Sequence, residues 1–181
     1  MSDLNQYVTR LGEFSNDDDP VTVQGQTPAI LTELVSGVPE EALRRRPRPD
    51  KWSIVEIIAH LAEDELVSSW RYRQMIENSG CSLAAFDQDE WARLGQYQSW
   101  DCAEWLQMFR LLREANVRMF SALTSDEWER FGNHAERGRI RVSDLARHMA
   151  AHDFNHLEQI FAILKGESCP QPRETDCNRE P

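Results

Sequence analysis

Cysteine is too sparse and too scattered in this chain to carry its chemistry. Cys81, Cys102, Cys169 and Cys177 form no CxxC pair, which excludes a zinc knuckle and a dithiol redox motif. Reduced thiols are expected, with a Cys169–Cys177 link as the one disulfide to weigh. Basic charge is short as well: 20 Lys and Arg face 31 Asp and Glu, for a net charge of −11. That balance excludes the basic footprint of a nucleic-acid binder. The one concentrated run, Arg44-Arg45-Arg46-Pro47-Arg48, is brief and broken by proline, and reads as a solvated turn. Long hydrophobic runs are also missing. No segment nears the roughly 20 apolar residues of a membrane span, and the acidic N-terminal stretch lacks the basic-then-apolar order of a signal peptide. A cytoplasmic protein is therefore expected. Period-two alternation is absent over any useful length, so no sheet should form a main layer of the core.

What the chain does have is helical periodicity and bulk. Its 181 residues, with six Trp, seven Phe and three Tyr, suffice for one domain with a real core. Thr27 as N-cap and Pro28 at the first helical position open a helix over 27–37. Residues 1–26 form an extension, partly helical or mobile, with a weak amphipathic pattern at Leu4, Val8, Leu11 and Phe14. A turn of helix is expected at 39–45. Ser53 and Glu56 form a capping box for a helix over 52–77. Residues 79–100 read as an irregular connection, anchored by Phe86 and Trp91 and long enough to cap or line something. Asp101 and Glu104 open a helix over 101–123. A short helical turn follows at Thr124–Trp128, then a loop flanked by Gly132 and Gly138. The last helix spans 142–165, within a bundle over 27–166, and the polar tail 167–181 is expected to be disordered. The fold class is all-α, a four-helix bundle.

Three of the five histidines lie in the nine residues HMAAHDFNH: His148, His152 and His156. Leu145, Met149, His152, His156 and Ile163 share one stripe of the last helix, within about a 60° sector. His148 sits at its edge, beside Arg147. Residues eight apart are about 12 Å apart along the axis, so His148 and His156 do not share an ion. The inward pair is His152 and His156. Two imidazoles on an apolar stripe need partners, and a metal satisfies both at once; the plainer alternative is hydrogen bonding to neighbouring helices. His60, at the margin of an apolar helix face, is the natural third ligand. Asp64, one turn on, is a candidate to orient His60 or reach the ion, against the plainer reading of a surface carboxylate. His134 is a weaker, loop-borne candidate.

KWSIVEIIAHL, followed much later by GNHAERGRIRVSDLARHMAAHDFNHLEQI, resembles the DinB/YfiT-like superfamily of metalloenzymes over about residues 27–165. The resemblance implies a bundle in up-down-down-up order, with a divalent metal on His60, His152 and His156. Zinc or nickel ranks ahead of iron or copper, a choice imidazole ligands leave open. It also implies transferase or isomerase chemistry with a low-molecular-weight thiol in some members.

Three histidines with open positions suit catalysis rather than structure. The expected activity is activation of a thiol cofactor or water on a small-molecule substrate, thiol-dependent transferase-like or hydrolase-like. The alternative is a non-catalytic metal- or small-molecule-binding bundle. His148 and His134 are candidates for proton transfer, and Asp64, Asp153 and Asn155 for orienting the ligands. Trp52 and Trp91 are candidates to wall a pocket. A homodimer is the expected assembly, with no nucleic-acid or membrane partner.

Overall fold

Asp19 and Pro20 start the first long helix, α1 (Pro20–Val35), well before the expected Thr27. The Asp19 carboxylate accepts the N–H groups of Val21 and Thr22, and Pro20 takes the first turn, where no N–H is needed. This Asp-Pro pair outcompetes Thr27-Pro28 as a helix start. Pro28 falls inside the helix and cannot bond the Gln24 carbonyl; Arg113 Nη1 donates to that carbonyl instead, at 3.0 Å. Residues 19–167 are described by this computed structural model, and expectations for 1–18 and 168–181, including Cys169 and Cys177, lie outside them.

A short helix α2 (Glu40–Arg44) leads into α3 (Ile54–Glu77), which carries the expected capping box of Ser53 and Glu56. The basic run between them is spent locally. Arg46 pairs with Glu56, and Arg44 with Glu40 at 2.6 Å. Strand β1 (Cys81–Leu83), helix α4 (Gln88–Leu94) and a 3-10 turn (Tyr97–Ser99) occupy the connection expected to be irregular. Helices α5 (Cys102–Phe120) and α6 (Ser125–Trp128) precede strands β2 (Phe131–His134) and β3 (Gly138–Arg141), and α7 (Val142–Lys165) ends the described fold.

Pairings between helices give the bundle its direction. Glu65 meets Arg113 and Asn116, and Arg73 also reaches Asn116, so α3 and α5 run parallel. Gln24 bonds Ala146 and Thr27 bonds Asp153, so α1 and α7 run parallel. His60 meets His152 while Ser68 meets Met149, so α3 and α7 are antiparallel. The order is up-down-down-up. The crossover between the parallel pair brings Gln98 back to the start of α3, where its Nε2 donates to Ser53 Oγ at 2.7 Å. Leu31, Ile57, Ile58, Phe109, Phe154 and Ile160 are fully enclosed between the four helices.

The small sheet, ordered β1-β2-β3, is unannounced by the sequence because strands of three and four residues are too short to show alternation. It is no core layer. β1 pairs parallel with β2 at the end where α3 and α5 finish, and β2 and β3 form a hairpin. Gly132 permits the parallel pairing: a Cβ there would lie 2.6 Å from Leu83 Cγ. No described helix is long and apolar enough to cross a membrane.

Candidate metal centre

The sequence IVEIIAHLAED buries His60 because Ile57, Ile58 and Leu61 flank it on a helix whose inner surface is entirely enclosed. On α7, His152 and His156 stand one turn apart and face it. The three rings offer ligand nitrogens that lie within 4.8 Å of one another. His152 Nε2 is 3.0 Å from His60 Nε2 and 3.2 Å from His156 Nε2. Tetrahedral zinc with Zn–N of about 2.0–2.1 Å would space its nitrogens about 3.3 Å apart, so the trio suits such an ion. Among the described residues no cysteine or carboxylate joins the group.

Two of the rings are backed by polar side chains. His156 Nδ1 donates to Gln159 Oε1 at 3.0 Å, which leaves Nε2 as a lone pair. His152 Nδ1 is enclosed with no hydrogen-bond partner, and Asp64 Oδ2 stands 3.7 Å away. The Trp52 ring lies 5.0 Å from that of His60. Burial holds all three imidazoles neutral, the form a metal needs. His60 and His152 titrate well below the usual range, from burial first and then from neighbouring histidines. His156 is lowered to about 4 by burial, against the opposing bond to Gln159.

The other candidates are redistributed. Asp64 is buried rather than a surface carboxylate, and it stands behind His152, not His60. Burial raises it to about 6, with Arg71 opposing. His148 stays outside the trio, its ring 6.2 Å from that of His152, and its Nε2 lies 3.1 Å from Arg137 Nη1. Burial first, and then Arg137 and Arg71, lower His148 to about 4. His134 is no solvated loop residue: it ends β2, is 7% exposed and faces Arg71. Asp153 points away from the trio into a salt bridge with Arg113. Asn155 is half-buried on α7. Trp91 packs on Phe86 with ring centres 4.7 Å apart. Cys81 and Cys102 are free thiols, and burial raises Cys102 to about 12, which makes it a poor nucleophile.

Two cavities meet this region. One of about 40 Å³ is walled by His60 and His152, with Asp64, Arg71, His134 and His148 around it. A wider cleft of about 560 Å³ lies on the far side of Trp52, rimmed by Arg46, Lys51, Arg93 and Gln96. Trp52 forms one wall of this cleft.

A model of the DinB superfamily matches residues 25–160. The chain belongs to the DinB superfamily. Among curated relatives, two proteins of Oceanobacillus iheyensis are provisionally named metal-dependent hydrolases. Each is 25% identical over 138 residues, 76% of this chain and 79% or 80% of theirs. A third with the same provisional name, from Halalkalibacterium halodurans, is 22% identical over 76% of this chain and 80% of its own. Among solved structures, YfiT from Bacillus subtilis is described as a probable metal-dependent hydrolase with an unusual four-helix bundle topology. It superposes with a TM-score of 0.77 at 19% identity, over 86% of this chain and 91% of YfiT. This last likeness shows the fold.

Proposed function

We propose that this DinB protein is a metal-dependent enzyme acting on a small molecule, with the metal held by His60, His152 and His156. The observation that carries the reading is the open, buried trio: three lone-pair nitrogens converge, and no fourth ligand among the described residues closes the group. The provisional names of its relatives favour hydrolysis; a thiol-dependent transfer is the second reading, carried by the family resemblance. When bound, such a cation lowers the pKa of a coordinated water or thiol and so supplies a nucleophile near neutral pH. Zinc or nickel suits three imidazoles, with iron and copper behind.

The chain's own residues set the conditions for that chemistry. Burial keeps the ligands neutral, and Gln159 fixes the His156 tautomer. Asp64 stands where it can hold the Nδ1 proton of His152, so that Nε2 faces the centre. Of the candidates for proton transfer, Asp64 is the best matched to neutral pH, at about 6. His148, at about 4 and bonded to Arg137, is a weak base.

The test is metal analysis of untagged protein, followed by ester and amide hydrolysis assays with and without added thiols. Stoichiometric metal and chelator-sensitive hydrolysis without thiol support the hydrolase. Turnover that requires a thiol supports the transferase. Stoichiometric metal without either activity supports a binding bundle, and absence of bound metal overturns the reading.

A further inference from the structure

Arg71 is a buried cation with no anion bonded to it. It stands on the wall of the histidine cavity, 8% exposed, and forms no ion pair among the described residues. Its Nη2 donates to the Ala84 carbonyl at 2.6 Å and otherwise faces His134 Nε2 at 3.2 Å. Asp64 and Glu136 act on it by charge from across the cavity, but neither bonds it, and an enclosed guanidinium is costly unless an anion meets its N–H groups directly. Arg113, more deeply enclosed still, shows the ordinary solution, since it pairs with Glu65 and Asp153.

His134 adds to the imbalance. Its Nδ1 accepts the N–H groups of Glu136 and Arg137 at 3.3 and 3.4 Å. A neutral imidazole then carries its proton on Nε2. That proton faces Arg71, which can only donate. Two donors thus stand 3.2 Å apart with no acceptor between them, both on side chains more than nine-tenths buried. The Phe86 ring covers the guanidinium at 5.7 Å.

We propose that Arg71 and His134 form a subsite for a carboxylate of the substrate, at the end of the cavity walled by His60 and His152. The assignment rests on the reading of that cavity as the reaction site. Adjacent donors match the two coplanar oxygens of a carboxylate. About 40 Å³ of space suits a group of that size, given that a single water takes roughly 10–15 Å³ by the same measure. Asp64, Glu136 and Arg137 line the same cavity, so with Arg71 the two positive and two negative side chains balance, which favours a singly charged group over a dianionic phosphate. The substrate is then a small acid whose carboxylate is anchored at Arg71 while its reacting group lies beside the histidines.

Acetate, titrated into the purified protein and followed by NMR, tests this. Binding to the parent should saturate, and Arg71→Gln should weaken it by about tenfold or more, as expected for loss of a charge-assisted bond. His134→Phe should weaken it several-fold, and provides the readout if Arg71→Gln does not fold. His60→Ala should keep acetate affinity within about threefold, because the subsite does not use the metal. Unchanged affinity in either subsite variant overturns the proposal, as does failure of the parent to bind. So does a loss in His60→Ala as large as that in Arg71→Gln, which would put acetate on the metal. Methyl phosphate binding tighter than acetate overturns the carboxylate assignment. Metal content of the same samples separates the two readings: acetate binding through Arg71 in a protein that holds no metal would sink the metal centre alone.

Discussion

Asp64 and Glu65 are neighbours on α3, as His152 and Asp153 are on α7, yet the members of each pair serve two different buried clusters. Glu65 and Asp153 turn toward α1 and α5, where Arg113 donates to both carboxylates and to the Gln24 carbonyl. Asn116 bonds Glu65 and Ser69, and Thr27 bonds Asp153. All four long helices contribute, and each charged group there has a counter-charge, although Arg113 Nε and Gln24 Oε1 make no hydrogen bond. Asp64 and His152 turn the other way, to a cluster whose partners do not add up. His152 Nδ1 has no bond, three imidazole lone pairs converge, and Arg71 has no bonded counter-ion. A network with its charges paired stabilises the fold; the one with converging imidazoles and an unbonded cation is where the metal and the substrate carboxylate are proposed to bind. The paired cluster is the more deeply buried of the two, but both are largely enclosed, and the pairing of the charged groups distinguishes them.

The largest expected effect breaks the paired side. Arg113→Met leaves the Glu65 and Asp153 carboxylates buried without their cation and should cost about 3–5 kcal/mol in denaturant unfolding. A loss below about 1 kcal/mol would mean that water reaches the network. Gly132→Ala comes next. Its Cβ meets Leu83, and the displaced β1–β2 pairing should cost about 1–3 kcal/mol.

The pH dependence of the metal-free protein sharpens the unpaired side. His148 titrates at about 4 when folded and near 6.5 when unfolded. The unfolded chain therefore takes up the proton first, so this contribution is complete above about 6.5 and is lost as pH falls toward 4. His60, His134, His152 and His156 share this direction, so His148→Asn should reduce the slope of the stability profile across that window by about one proton's worth, and an unaltered profile would refute the assigned shift. The smallest effect is expected for Arg71→Met. Removing a buried cation that no anion bonds should leave stability within about 1 kcal/mol of the parent or raise it, in contrast to Arg113→Met. Equal losses in the two variants would erase the distinction between the clusters.

The grouping of the histidine trio was legible in the sequence because helical spacing turns His152 and His156 inward and holds His148 apart, while His60 needed its apolar helix face and the family motif. The long helices were legible for the same reason, with capping boxes at Ser53 and Asp101 marking their starts. Pairings distant in sequence were not. Asp153 reads as a neighbour of the site until Arg113, 40 residues earlier, is placed opposite it. His134 reads as a loop residue because a four-residue strand leaves no pattern, and its role depends on Arg71, 63 residues away. Asp19 displaced Thr27 as the cap because two sound start signals competed, and the bonds of the Thr27 hydroxyl to Asp153 and to the Val23 carbonyl favour keeping Thr27 inside the helix.

Metal content of His60→Ala, His152→Ala, His156→Ala and His148→Ala, measured beside the parent, tests the central claim most directly. Each of the first three should lose most of its metal, because two imidazoles hold an ion far more weakly than three. His148→Ala should retain it, since its ring stands apart from the trio. Metal loss in His148→Ala equal to that in His156→Ala, or parental metal content in all four, would contradict the account.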